Sequence, residues 1–343
     1  MRFVSPARAA TTIVLLAAVA LVALYVIPSN SYYVFVPDRA HALAPLVKVA
    51  GHRANGDSGG VYFVDVRFRK ARLLEALLKR PLASGASLQP AAAVLGGATE
   101  KQQRKIDLNQ MEQSQETAAA VALRRLGYHV KVRLPRVVIS AVERNVPAAT
   151  ALRPRDRLLA VDGAPVHSVG RLRQLLDQRR PGQTVALRVR RGTSIRTATV
   201  KTIPDSTDPR RAVIGIFVGE EGGSVGKLPL KVKIETGGVG GPSAGLAFAL
   251  DLMETFGRDV DRGYKVAATG ELELDGTVVP IGAVKQKTIG AHDAGVDVFL
   301  VPAGDNYQDA RKYANGLRVI PVHSFPQALS ALATLPAKTR MNS

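Results

Sequence analysis

The sequence predicts an α+β multidomain chain led by an apolar helix, and three observations carry that prediction. The 343 residues accommodate two or three domains at roughly 100–200 residues each. Alternating strand patterns and helical apolar stripes follow one another along the chain. Residues 9–37, between Arg8 and Asp38, carry no formal charge. An apolar fraction of 46% argues against general disorder, and the absence of cysteine excludes a disulfide framework, thiol catalysis and thiolate metal sites. The net charge of +19 is unevenly placed: residues 1–211 hold 34 Lys+Arg against 14 Asp+Glu, whereas residues 212–343 hold 13 against 14.

Within the charge-free span, Ile13–Ile27 is unbroken Ile, Val, Leu, Ala and Tyr, and Ala9–Thr12 extends it. A bilayer-spanning helix needs about 20 apolar residues, and a signal-peptide core roughly 7–15. Pro28-Ser29-Asn30 ends the run, and Tyr32-Tyr33 suits an interfacial aromatic belt. This predicts a cytoplasmic tail at 1–10 and a transmembrane anchor at 11–28. Arg2 and Arg8 keep the N-terminus cytoplasmic, so a chain held in the cell membrane by one helix exposes everything after residue 30 on the outer side. The alternative is a cleaved signal peptide, with Ser29-Asn30-Ser31 as a weak processing site.

Residues 31–124 read as a membrane-proximal α/β region. Gly60–Val66 has strand chemistry, Ala71–Leu78 continues as a short helix, and Pro81–Thr99 has the composition of a loop. Asp107–Leu126 forms a helix with Met111, Ala118, Val121 and Leu126 among its apolar positions and Gly127 beyond its end.

In 125–204, a strand at Val137-Val138-Ile139 is followed by Val146-Pro147-Ala148-Ala149 and then by Leu152–Gly163. A helix over Ser168–Gln178, a Pro181-Gly182 turn and the alternating strand Val185–Arg190 complete the order. This order, with the run Leu152-Arg153-Pro154-Arg155-Asp156-Arg157-Leu158, resembles a PDZ domain. Arg155 stands where that family usually has glycine, so the turn must manage without the freely adopted positive φ. The resemblance implies capture of an extended peptide, added as a strand beside the first PDZ strand, with its carboxylate held at Leu126-Gly127-Tyr128. Arg124–Arg211 carries 20 basic against six acidic residues. Aromatic stacking residues are nearly absent there, so nucleic acid is not the expected partner. A solvated basic face is the plain reading, and contact with anionic lipid or an envelope polymer the functional one.

The chemistry concentrates in 212–335, read as an α+β catalytic domain. In Thr236-Gly237-Gly238-Val239-Gly240-Gly241-Pro242-Ser243-Ala244-Gly245, glycines clear the approach to one serine. Pro242 suits the first turn of a helix whose face carries Leu246, Leu250 and Met253. Ser243 therefore stands near unpaired helix N–H groups, where a nucleophile with an oxyanion site would be placed, unless the segment is an ordinary helix start. A second helix over Ala283–Ala294 has an inner stripe of Val284, Lys287, Ala291 and Ala294, with Lys285 on another side. A lysine in that stripe either snorkels outward or is desolvated, and a desolvated lysine can serve as a general base.

Gly241-Pro242-Ser243-Ala244-Gly245, Thr269-Gly270-Glu271-Leu272, Pro280-Ile281-Gly282-Ala283-Val284-Lys285-Gln286-Lys287 and Val298–Pro302 together resemble the proteolytic domain of Lon proteases. With the anchor and the PDZ-like module, the chain resembles the PDZ-containing, membrane-anchored Lon-like serine proteases of bacteria. The resemblance implies Ser243 as nucleophile, Lys287 as base and Thr269 as the residue orienting it; Gly240 and Gly241, in the glycine run that clears the approach to the serine, are the expected substrate-binding residues. It also implies a homo-oligomer. ATP-driven relatives often carry an acid three residues before the serine, where this chain has Gly240.

The six histidines lack H-E-x-x-H spacing, no G-x-S-x-G elbow follows a strand, and no P-loop sequence occurs. The expected activity is therefore ATP-independent cleavage of flexible or unfolded proteins and peptides, with no cofactor and no metal. The competing readings are a catalytically silent, membrane-tethered peptide-binding adaptor and an envelope-binding structural protein.

Overall fold

The computed structural model describes residues 6–52, 59–206 and 208–338, with side chains from residue 10 onward. Helix α1 (Pro6–Val26) is built from Ala, Leu and Val and projects from the body, with Ile13, Leu15, Val19 and Val26 all about 60% exposed or more. Among the described residues no helix is long and apolar enough to cross a membrane. The helix ends two residues before the expected boundary at 28, because Pro28 begins a strand, Pro28–Pro37. That strand pairs antiparallel with Val66–Arg72 on one side and Ser87–Pro90 on the other. Between them lies α2 (Leu73–Leu78), and α3 (Ala91–Leu95) follows. The expected loop at Pro81–Thr99 thus contains a strand and a helix, whose short Ser/Ala runs carry little periodicity to read.

Helix α4 (Glu100–Arg125) starts at a Thr99–Gln102 capping box and buries Met111, Ala118, Ala119 and Ala122. The chain then enters a five-strand path ordered Ser194–Lys201, Thr184–Arg191, Arg157–Val161, Arg136–Val142, Ile216–Glu221. Helix α5 (Val169–Asp177), capped by Ser168, packs Leu172 and Leu176 into its core with Ile139, Leu158 and Leu187. Ile216–Glu221 lies beyond the expected boundary at 204, and it pairs with the edge of Arg136–Val142 where an external peptide was expected to add.

Arg155 adopts φ 71°, so the left-handed turn is kept without glycine. Its neighbour Asp156 is buried and accepts two 2.7 Å bonds from Arg191 and one of 2.9 Å from Arg153 N, which fix the turn. A non-glycine residue in this region costs about 1–2 kcal/mol. Arg155→Gly is expected to raise the denaturation midpoint by an amount worth about 1 kcal/mol, less the extra chain entropy of glycine. Urea unfolding checks this, and a lowered midpoint contradicts it.

A second sheet is ordered His41–Ala42, Gly60–Phe63, Lys265–Ala268, Val298–Pro302, Arg318–Val322, all parallel except the first pair. Helix α6 (Gly245–Thr255) has residues 245–253 all buried, where an amphipathic stripe was expected. It is covered by the sheet on one side and by α4 on another, in one core containing Phe63, Met111, Ala118, Phe248, Leu250 and Leu300. Helices α7 (Val284–Asp293), α8 (Asp305–Tyr313) and α9 (Phe325–Ala333) complete the domain. Residues 31–124, read from the sequence as a separate region, therefore share a sheet and a core with 212–335. The parallel pairing of Gly60–Phe63 with Lys265–Ala268 spans the whole intervening five-strand module, and no local pattern announces it.

Helix α5 docks that module on the domain built around the second sheet. Gln174 Nε2 donates to Val278 O at 2.8 Å and His323 O at 3.1 Å. Gly170 lies so close that a methyl there would sit 2.5 Å from Val279 Cγ2. Burial pushes the Glu273 carboxyl at this contact up to about 8.

Candidate active site

Three elements deliver one side chain each to a common point. Thr269 follows Lys265–Ala268 at the C-terminal end of the parallel strands, Ser243 lies in the turn before α6, and Lys287 lies in the first turn of α7. The backbone locks two of them together: Gly270 N donates to Ser243 O at 2.8 Å, and Thr269 Oγ1 donates to the same carbonyl at 3.1 Å. Lys287 Nζ lies 2.6 Å from Ser243 Oγ and 3.4 Å from Thr269 Oγ1. Lys287 is 4% exposed and Thr269 fully buried, so the ammonium is desolvated. Burial pushes the Lys287 pKa down to about 8, against the opposing pull of Asp65. An amine that titrates this close to neutrality can, in its uncharged form, take the proton of a hydrogen-bonded hydroxyl as the oxygen attacks a carbonyl. Lys285 points elsewhere, its Nζ on Ala86 O at 3.3 Å.

The glycine loop is held from above by α4. Gly241 N donates to Asp107 O at 2.8 Å, and Ser114 Oγ donates to Pro242 O at 2.9 Å. A methyl on Gly240 would lie 2.6 Å from Asp107 Cβ. Gly240 and Gly241, expected to bind substrate, border the cleft but are used to seat the loop against α4, and the Gly241 N–H is not free for an oxyanion. Asp107 of α4 thus approaches position 240, three before the serine, where the local sequence has glycine and no acid.

Ser243 and Lys287 open into a cleft of about 1180 Å³, whose walls include Phe35, Phe68, Asp65 and Glu271. Sequence reasoning does not find Asp65, Phe35 and Phe68. Phe35 and Phe68 arrive from strands and Asp65 from the link between two strands, all more than 170 residues before Ser243, and nothing near them in the sequence marks a site. Asp65 stands 3.4 Å from His41 Nε2, and burial raises its carboxyl above the ordinary range. Two donor groups could be considered for a cation: Asp38, His41 and Asp65, and Glu254, Asp259 and Asp261. Asp38 is already paired with Arg67, and Glu254 Oε1 already accepts from Val260 N and Asp261 N.

A second recess lies between α5 and the Ile216–Glu221 strand. It has a volume of about 520 Å³ and walls that include Leu172, Leu176, Ile214 and Ile216. The turn into it is Gly215, at φ 67°. Leu126, Gly127 and Tyr128, the residues expected to hold a peptide carboxylate, lie elsewhere. Leu126 caps α4, Gly127 turns the chain at φ 93°, and Tyr128 packs on Phe256 at a ring separation of 5.7 Å. The run Ile214-Gly215-Ile216-Phe217, a short apolar strand opened by glycine, lines this recess.

Comparison with known proteins matches two parts of the chain. Residues 124–202 match the family model of the PDZ domain, and residues 226–333 match that of the Lon protease (S16) C-terminal proteolytic domain. Lon protease 1 of Sorangium cellulosum is 49% identical over 70 residues, covering 20% of this chain and 8% of that protein. Lon protease of Chloroflexus aggregans is 40% identical over 100 residues, covering 28% and 12%. Lon protease 1 of Bacillus subtilis is 38% identical over 95 residues, covering 27% and 12%. The matched part is thus about a tenth of each relative's length. The PDZ domain of an SdrC-like protein from Listeria monocytogenes shares 27% identity, with a TM-score of 0.24, over 26% of this chain and 93% of that one. The chain carries a PDZ domain and a Lon-type proteolytic domain, and its catalytic class is the serine-type peptidase.

Proposed function

We propose that the chain is an ATP-independent endopeptidase working through a Ser243–Lys287 dyad on flexible or unfolded polypeptides. The observation that carries the reading is the 2.6 Å contact between Ser243 Oγ and a buried Lys287 Nζ. Ser243 Oγ attacks the carbonyl carbon while Lys287 accepts its proton, and the lysine then protonates the leaving amine. Water repeats the sequence on the acyl-enzyme and restores the serine. Thr269 positions the lysine and, through Ser243 O, the nucleophile's own backbone. The PDZ groove between α5 and Ile216–Glu221 receives an extended peptide segment, and α5 connects that groove to the hairpin following Thr269. The N-terminal helix α1 holds the chain in the cell membrane with the catalytic domain on the outer side. The support for this placement is the charge-free apolar run and its exposure on every face.

Incubation of the full chain with an unfolded, labelled protein in nucleotide-free buffer tests the activity. Products that appear for the parent and vanish for Ser243→Ala support it. Binding of peptide without products indicates the silent adaptor instead.

The rate should rise with pH through a midpoint near 8, since only the neutral amine can accept the serine proton and the folded Lys287 titrates at about 8. Asp65 favours the ammonium form, so Asp65→Asn should move the midpoint to lower pH. A kcat/KM profile that is flat from about pH 6 to 9 contradicts the lysine's role.

A further inference from the structure

We propose that α2 and the adjoining Leu82 turn form an interfacial foot, resting in the headgroup layer of an anionic bilayer beside the point where α1 leaves the body. The proposal rests on the reading of α1 as a membrane anchor and adds a second, separate contact.

The geometry of the exit carries it. Ile27 O accepts from Leu73 N at 3.0 Å, so the end of α1 and the start of α2 are tied together. The Arg72 guanidinium stacks 3.9 Å above the Tyr25 ring at the same junction. If α1 enters lipid, whatever adjoins Ile27 lies at the water–lipid boundary. What adjoins it is unusually apolar for a surface: Leu77 is 68% exposed, Leu78 47% and Leu82 42%. These three leucines are unpacked on or just after a helix of only six residues, whose other side is fixed inward by Glu75.

The charges around the leucines identify the partner. Between Asp65 and Glu100 the only acid is Glu75, and it is fully buried. Arg69 holds it with bonds of 2.8 and 2.9 Å, and Arg72 N and Leu82 N also donate to it. Lys79 and Arg80, directly after the exposed leucines of α2, are themselves exposed. Leucines flanked by basic residues, with the one carboxylate withdrawn, match a surface that is apolar within and negative at its rim. A second copy of the same patch would instead bring Lys79 and Arg80 against their equivalents.

The absence of tryptophan in the chain gives a clean test. Leu77→Trp and Leu82→Trp are prepared separately in the full chain and reconstituted into phosphatidylserine–phosphatidylcholine vesicles, with and without bromine on the acyl chains. Ile195→Trp, exposed on the edge strand of the PDZ sheet, serves as the reference. The foot predicts that brominated lipid quenches the fluorescence of the Leu77→Trp and Leu82→Trp proteins at least about twofold, and that of the Ile195→Trp reference hardly at all. Lys79→Glu with Arg80→Glu should reduce that quenching in anionic vesicles. Vesicle-bound protein with Leu77→Trp quenched no more than Ile195→Trp overturns the foot while leaving the anchor standing. A blue shift that follows protein concentration and ignores bromine assigns the patch to a second copy and also overturns it. Failure of the full chain to float with vesicles overturns the anchor and the foot together.

Discussion

Lys287→Met is expected to lower kcat by about 10³-fold or more while leaving the protein folded. The methionine keeps most of the stem that α7 buries and removes the amine that lies 2.6 Å from Ser243 Oγ. General-base catalysis alone is worth about 10²–10⁴-fold, and without it the serine hydroxyl remains a weak nucleophile at neutral pH. Ser243→Ala should cause a loss of similar size, and the double variant should lose little more, because the two groups act as one unit. Lys287→Arg should be as inactive as the methionine variant, since a guanidinium does not give up its proton. A second readout separates a chemical role from a structural one. Holding the lysine in a site that depresses its pKa from 10.5 to about 8 costs on the order of 3 kcal/mol when it is charged. Lys287→Met should therefore melt at the same temperature as the parent or higher, even as activity vanishes. Retained cleavage, or a large fall in melting temperature, contradicts the assignment.

The two members of the proposed dyad are legible in the sequence for different reasons: Ser243 is marked by the glycine run before it, and Lys287 by its place in the inner stripe of a helix. Lys287 occupies a stripe with Val284 and Ala291, and all three are buried; Lys285 falls outside it. What stays hidden is non-local. The strand Gly60–Phe63 joins the catalytic sheet only by pairing with Lys265–Ala268, and Ile216–Glu221 completes the PDZ sheet only by reaching back to Arg136–Val142. Such pairings depend on which edges the rest of the fold leaves open, and a strand pattern does not state its partner. The same limit explains the misplaced carboxylate loop. Leu126-Gly127-Tyr128 has the composition of such a turn, but its glycine ends α4, whose long buried face fixes it in the catalytic core. The glycines before Ser243 suggest clearance for substrate, whereas Gly240 gives clearance to Asp107 on α4. The sequence can show that bulk is excluded without showing what occupies the space.

Gly290→Ala is expected to be the most damaging single methyl that can be added near the site. Gly290 faces the segment that runs from Pro37 to Ala40 across α7, and Ala40 N donates to Gly290 O at 3.3 Å. A Cβ on residue 290 would lie 1.7 Å from Asp38 O and 2.9 Å from Asp38 C, both backbone atoms. No side-chain rotation relieves that overlap, so either α7 or the segment must move by more than an ångström. Overpacking a rigid contact costs about 1–3 kcal/mol and occasionally more, and a backbone-to-backbone clash belongs at the upper end. The displacement has a direct chemical consequence. Residues 287 and 290 are one turn apart on the same helix, so a shift of α7 carries Lys287 with it. A misplacement of about 1 Å in a catalytic group can cost about 10²-fold in rate. Gly290→Ala should thus lower both the melting temperature and kcat, in contrast to Lys287→Met, which lowers kcat alone. Gly282→Ala is the matched control, because a methyl there meets nothing within 4 Å. Equal stability and equal activity for the two glycine variants would show that the crossing of Asp38 over α7 does not place the lysine.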